Sequence, residues 1–497
     1  MSERTLKEIM DQRREKIKTF IAEGIDPYPH NFNRTHLTAD ALDHYEDKDE
    51  QDTISLAGRL MSRRVMGKAS FANIMDGSGR IQLYLSREDV GEDKYAMFKS
   101  TDIGDFLGVS GKMMTTRTGE KTLKVFEVVL LSKNIRPLPN VKEKDGQLFD
   151  GFEDKEQRYR KRYLDLIVNP EVKETFVKRA KIYKSIRNFF DESDYLEVET
   201  PILQPLYGGA SARPFKTHHN ALDIPLYLRI ADELYLKRLI IGGFEKVFEF
   251  SRNFRNEGMD RTHNPEFTAI EWYEAYVDYF YLMDQVEALF KHLAKDLGQN
   301  VFSFNDQEID LTKSFKRSTM ADLVQEYVGI DLETADEEEL MKVCREHKID
   351  APSGSNYGQL LDALFDGLVQ PHLVEPTFVT EYPKAISPLA KNKRDSDGTF
   401  VERFELFIAG NEFANAFTEL NDPIDQRERL EAQAALRAAG DEEAQPVDED
   451  FLQAMEYGMP PTGGVGMGLD RLVMLLTGSR SIRDVLLFPQ MRPESKG

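Results

Sequence analysis

The stretch KVFEFSRNFRNEGMDRTHNPEFTAIEWYEAY, residues 246–276, reads as strand, polar loop and strand. Side chains alternate across a strand with a period of two. Arg255 and Glu257 therefore share one face of the first strand, and Phe267, Glu271 and Tyr273 share one face of the return strand. Further on, NEFANAFTELND places Asn415, Phe417 and Glu419 on one face of a third strand, with Glu405 and Glu412 on or near the same segment. Charges on interior strands are costly unless they meet a ligand, a metal ion or each other. A set of structural salt bridges would use the same residues. An arginine, a stackable phenylalanine and several carboxylates together also suit a nucleotide-plus-cation site.

Other chemistries find no support. The chain has no GxxxxGK[ST] phosphate loop, no HExxH and no GxSxG. The run Gly464-Val-Gly466-Met-Gly468 is not GxGxxG, and it lies near the C-terminus with Asp470-Arg471 after it, which argues against a dinucleotide fold. The single cysteine, Cys344, rules out a disulfide framework and any cysteine-based zinc or iron–sulfur site, and fits a reducing cytosol.

These residues need elements to hold them. A chain of 497 residues suggests about three domains. Residues 3–22 read as a charged amphipathic helix, stopped by Gly24, Pro27 and Pro29. Residues 54–136 hold five short β-rich runs with turn signals at Asp76-Gly77 and Thr118-Gly119, the pattern of a small closed OB-like barrel. This stretch has fourteen Lys/Arg against nine Asp/Glu, while the whole chain carries a net charge of −22. A basic barrel on an acidic protein is a localised footprint for nucleic acid, and Phe71, Tyr84 and Phe126 could offer stacking faces. Residues 134–160 are polar and Pro/Gly-punctuated, as a linker is. From 171 onward, helices mix with strands without regular βαβ spacing, which suggests an α+β domain on an antiparallel sheet. Residues 423–457 read as a helix plus an acidic loop, DEEAQPVDED, in a solvated insertion. No apolar run approaches the ~18 residues needed to span a membrane, and the N-terminus lacks the apolar core of a secretory signal.

Three blocks carry a family resemblance. DYLEVETPILQP (194–205), FRNEG…HNPEF (254–267) and GGVGMGLDR (463–471) resemble, in order, motifs 1, 2 and 3 of class II aminoacyl-tRNA synthetases. GGASARPF (208–215), YLRIADELYLKRL (227–239) and GNEFANAFTELND (410–422) resemble the lysyl-tRNA synthetases specifically, and the class I signatures HIGH and KMSKS are missing. The resemblance implies an α+β multidomain protein: a helical extension over 1–53, an OB-fold anticodon-binding domain over 54–136, a linker over 137–170 and a class II catalytic domain over 171–497. Motifs 1, 2 and 3 would fall at about 172–205, 247–273 and 463–478.

It also implies ATP-dependent ligation of lysine to its tRNA through a lysyl-adenylate, in a cytoplasmic homodimer that uses Mg²⁺ and no zinc. Arg255 and Arg471 would be the catalytic arginines. Arg255 would hold the α-phosphate and the lysine carboxylate, while Arg471 would cover the adenine or reach the γ-phosphate. Glu257, His263 and Asn264 would hold adenine and the outer phosphates, with Phe267 stacked on the adenine. Glu405 and Glu412 would be the magnesium ligands. Glu271, Tyr273 and Glu419 would hold the distant ammonium, Glu233 and Gly209 the α-amino group, and Asn415 and Phe417 the side of the pocket. In the barrel, Phe71 would stack on an anticodon base, with Arg64 and Gln82 reading its edge. Aspartate and asparagine enzymes of the same class need a pocket of the other sign.

Overall fold

A computed structural model describes residues 5–46, 52–139, 141–144, 147–150, 152–351, 355–396, 398–438 and 444–494. The first residues of the expected N-terminal helix and the start of the acidic loop at 441 lie outside these. The chain forms two compact units, 1–153 and 154–497.

In the first unit, helix α1 (Leu6–Ala22) opens with a capping box: Thr5 and Glu8 each accept the other's backbone N–H. Phe20 buries itself in the barrel core. Lys16 pairs with Asp102, which also takes the fully buried Lys133. The helix is thus fixed to the barrel and is part of its fold. The barrel strands are β1 (Ile54–Met66), β2 (Ala69–Met75), β3 (Arg80–Ser86), β4 (Phe106–Thr115) and β5 (Lys121–Ser132). They close in the order β1-β2-β3-β5-β4. Leu56, Ile74, Leu83, Val109 and Leu123 point inward, and alternate residues point out. Asp76 builds the β2–β3 turn by accepting N–H groups of Ser78 and Gly79. Helices at 87–90 and 92–100 join β3 to β4, where sequence patterning gave no element.

Residues 137–170, expected as a linker, hold more structure than that. A hairpin pairs Val141–Lys144 with Gln147–Asp150, and helices span Lys155–Arg160 and Arg162–Val168. The second helix is anchored because buried Arg162 bonds Asp165 and donates to the carbonyls of Arg483, Leu486 and Leu487. Those partners lie some 320 residues on, so composition could not reveal them.

The second unit is built on one eight-stranded sheet. Its strands are β6 (Leu196–Glu197), β7 (Lys246–Phe254), β8 (Glu266–Ala275), β9 (Lys316–Thr319), β10 (Thr377–Pro383), β11 (Phe400–Ile408), β12 (Asn411–Thr418) and β13 (Thr462–Gly468). The order is β9-β10-β11-β12-β13-β8-β7-β6. The sheet is mixed and not purely antiparallel, because both edge pairs, β9–β10 and β6–β7, run parallel. One face packs against helices α2 (Glu171–Asp191), α3 (Tyr279–Leu297) and α4 (Leu469–Thr477), through Phe190, Phe290 and Leu472 among others. That face carries Ile270, Trp272, Phe404, Leu406, Ala414, Ala416, Val465 and Met467. Parity then sends Glu271, Tyr273, Glu405, Asn415, Phe417, Gly464 and Gly466 to the opposite face. There they line a cavity.

The insertion 423–457 is not simply solvated. Its helices Pro423–Ala438 and Glu449–Glu456 bury Leu430, Phe451, Leu452 and Met455 with Leu234 and Leu389.

Candidate active site

All fifteen candidate residues of the second unit line one cavity of about 500 Å³. Arg255 does not lie on the first strand, as parity had suggested. It directly follows the end of β7 at Phe254, and its N–H donates 2.9 Å to the Pro265 carbonyl. Its guanidinium carbon lies 5.2 Å from the Phe267 ring centre. Its buried Nε has no hydrogen-bond partner among the described residues, which leaves a donor for an anion. Glu257 is also beyond the strand, exposed in the loop.

The loop is held by its own side chains. Asp260 accepts the backbone N–H groups of Thr262 and His263, both at 2.7 Å, and the His263 ring at 2.8 Å. Burial, the largest single cause, raises its carboxyl, but these donors together outweigh it and hold the group far below the usual carboxylate range. Asn264 donates to the Glu266 carbonyl at 2.6 Å and accepts from the Gln490 N–H at 3.2 Å. Its amide therefore braces the loop. Arg471, on α4, donates to the Glu412 carbonyl and lies 3.9 Å from its carboxylate. The neighbouring Asp470 accepts the Thr268 N–H at 2.8 Å and pairs with Arg179 at 2.7 Å, fixing α4 to β8 and α2.

Glu405 accepts from Arg403 at 2.5 Å and from the Tyr382 hydroxyl at 2.8 Å. Arg403 also donates 3.1 Å to Asn415. Among the described residues, no group of three or more His, Cys, Asp and Glu could hold a metal ion.

The cation-binding candidates stand further along the sheet. Glu271 lies four residues past Phe267 on β8, about 13 Å at strand rise. The Tyr273 hydroxyl donates 3.2 Å to Glu271. Lys237 is fully buried between Glu233 and Glu419, its Nζ 2.5 Å from each. Burial alone would lower the lysine, but the two carboxylates win and raise it. Burial raises Glu419, and Lys237 offsets only part of that. Burial, then Asp232, raises Glu271 well above the usual range. Gly209, at φ +86°, turns the chain against Glu233, and its N–H donates 3.1 Å to Gln445 of the insertion. Gly464 is obligatory, since a Cβ there would collide with Glu419 and the Tyr273 ring. The glycines of β13 thus keep the sheet open over the carboxylates.

In the first unit, the barrel surface aligns its candidates. Arg64 pairs with Phe71, Phe71 with Tyr84, and Tyr84 with Lys124, forming one row across four strands. Gln82 lies in the next row opposite Asn73, accepting from Thr122 and donating to Glu120. Phe71 and Tyr84 rings meet at 5.3 Å. Phe126 is the most exposed of the three aromatics.

The family model for class II tRNA synthetases (D, K and N) matches residues 154–492, and that for the OB-fold nucleic acid binding domain matches residues 54–131. The chain belongs to the class II tRNA synthetases. It is 52% identical to the lysine–tRNA ligase of Porphyromonas gingivalis over 97% of this chain and 85% of that protein. It is equally identical to that of Thermoanaerobacter pseudethanolicus, over 99% of this chain and 97% of the relative. The same holds for that of Christiangramia forsetii, over 97% and 86%.

Four residues in or beside the candidate site escaped sequence reading: Asp232, Lys237, Arg403 and Gln445. Lys237 and Arg403 belong to ordinary-looking helix and strand patterns. Only strand parity could have drawn Arg403, which shares the face of Glu405.

Proposed function

We propose that this class II synthetase ligates L-lysine to its tRNA in two steps, through a lysyl-adenylate. The observation that carries the choice of lysine is the buried carboxylate cluster Glu233, Glu271 and Glu419 at the far end of the Arg255 cavity. A pocket for aspartate or asparagine would need donors there.

The lysine carboxylate is already an anion, so the first step needs alignment and charge stabilisation and no protein base. A carboxylate oxygen forms a bond to the α-phosphorus, the bond to the bridging oxygen breaks, and pyrophosphate leaves. Arg255 offers its unpartnered Nε and planar fork to the α-phosphate and the lysine carboxylate. Phe267 stacks on adenine, with Arg471 over the other face or at the γ-phosphate. Glu257, His263 and Asn264 belong to the loop that closes on adenine and the outer phosphates, the last two chiefly by holding its shape.

Glu405 and Glu412, which both line the Arg255 cavity, would hold Mg²⁺, since two carboxylates leave the remaining positions to phosphates and water. When bound, the ion would offset charge on the phosphates. Glu271, Tyr273 and Glu419 hold the ε-ammonium. Glu233 and the Gly209 backbone hold the α-amino group, and Asn415 and Phe417 wall the aliphatic chain. In the second step the terminal ribose 3′-hydroxyl of the tRNA attacks the lysyl carbonyl and AMP leaves.

Phe71 stacks on an anticodon base while Arg64 and Gln82 read its edge, within a binding domain taken as 54–136. A homodimer forms through motif 1, where Val177, Leu196, Ile202 and Leu203 are 42–56% exposed. A cytoplasmic setting suits the buried lone thiol Cys344. No helix of the described residues is long and apolar enough to cross a membrane.

The test is charging of bulk tRNA with each of lysine, aspartate and asparagine. ATP-dependent charging with lysine alone is expected. Charging with aspartate or asparagine, or none by folded protein, would overturn the reading.

A further inference from the structure

Asp232 stands immediately before the helix Glu233–Ile241 and is fully buried. Among the described residues, neither of its carboxylate oxygens accepts a well-formed hydrogen bond, although the Glu271 and Ser251 side chains lie within reach of it. Its neighbours are Glu271 on β8, Glu249 and Ser251 on β7, and Arg229. Arg229 offsets its charge only in part. Its Nη1 pairs with Glu249 at 2.6 Å and bonds Thr200, and its Nε donates to the Arg252 carbonyl. Glu249 is further satisfied by the N–H and hydroxyl of Thr200. Lys237, also buried nearby, is committed to Glu233 and Glu419. Asp232 and Glu271 therefore lie against each other, and the cations described near them are paired chiefly with other carboxylates. The Tyr273 hydroxyl serves Glu271 only, at 3.2 Å.

Two buried carboxyl groups in contact cannot both be ionised without a large cost, and one proton between them satisfies both. We propose that Asp232 and Glu271 share one proton beneath the substrate pocket, making Asp232 the positioning residue that aims Glu271 at the amino acid. Burial, the first cause, holds both carboxyls above their ordinary range, in keeping with a retained proton.

The proton also balances the site. With it, and with Glu233 and Glu419 ionised against Lys237 and the bound substrate, the pocket presents three negative charges. Lys237 and the two ammonium groups of a diamino acid present three positive ones. Without it, two like charges meet in a dry site and Glu271 swings away from the substrate. This inference rests on the lysine reading above.

The experiment compares wild type with Asp232→Asn and Asp232→Ala by ATP–pyrophosphate exchange across pH. Asp232→Ala removes the bridge and should raise the KM for lysine about tenfold, with kcat and the KM for ATP little changed. Asp232→Asn replaces the shared proton with a fixed amide N–H and should bring the lysine KM back to within about threefold of wild type. Wild-type kcat/KM for lysine should carry an alkaline limb, as the shared proton is lost, that Asp232→Asn lacks. The amines of free lysine titrate identically in both proteins, so the difference isolates the pair.

A second readout is independent of catalysis. Infrared difference spectra at neutral pH should show a protonated carboxylic acid band in wild type that disappears in Asp232→Asn. An unchanged band would overturn the proposal, as would an Asp232→Asn enzyme with a lysine KM as high as that of Asp232→Ala. Should the protein activate another amino acid, exchange would expose that failure while the infrared band still reports on the pair.

Discussion

At the scale of single residues, the site separates two tasks by charge. Arg255 keeps a buried donor unpartnered, and the far end of the cavity gathers carboxylates around a single lysine. Lys237 explains how so many acids coexist, since it holds Glu233 and Glu419 at fixed positions. In the proposed site a substrate ammonium would meet carboxylates that are already ordered, and ordering them in advance saves part of the cost of binding. Glu419→Gln keeps the shape and removes the charge. It should raise the KM for lysine about tenfold or more while the KM for ATP moves less than about twofold. Thermal unfolding of the variant checks that Lys237 still has a place in the fold. Equal, small changes in both KM values would remove Glu419 from the ammonium site.

At the scale of elements, strand parity does most of the positioning. Four strands send alternate residues to a helix-covered core and to the cavity, so Glu271, Tyr273, Glu405, Asn415 and Phe417 are placed by the same rule that buries Trp272 and Phe404. β13 completes the arrangement by having no side chain at Gly464. Gly464→Ala should cost about 1–3 kcal/mol of stability and impair lysine binding, because its Cβ would overlap Glu419 and Tyr273. Gly466→Ala, whose Cβ would lie 3.7 Å from Glu271 in ordinary contact, should be milder. Similar lysine KM values for the two variants would contradict this account of β13. Parity was legible in the sequence, as were the barrel strands and their turns. Arg255 was misplaced because the strand stops one residue earlier and a single N–H bond carries the pairing on. Gln445 was missed because its partner, Gly209, lies 236 residues away. The helices at 155–168 were missed because polar, charged composition resembles a linker until Arg162 and Asp165 find each other.

At the scale of the whole molecule, two compact units divide the work. The unit 154–497 contains every residue proposed for adenylate formation and has its own core. The unit 1–153 presents a row of Arg64, Phe71, Tyr84 and Lys124 on a barrel to which α1 is fixed by buried Phe20 and the Lys16–Asp102 pair. Removing residues 1–153 should leave lysine-dependent pyrophosphate exchange intact and strongly reduce charging of tRNA. A truncated enzyme that charges tRNA as well as the full chain would assign the barrel another task. The claim that joins these scales is that one cavity activates lysine and no other amino acid. Pyrophosphate exchange with ATP and Mg²⁺, run against all twenty amino acids and ornithine, tests it most directly. Exchange with lysine alone is the predicted result. Exchange with aspartate or asparagine would contradict the reading of the carboxylate pocket, and no exchange from folded protein would contradict the assignment of adenylate chemistry.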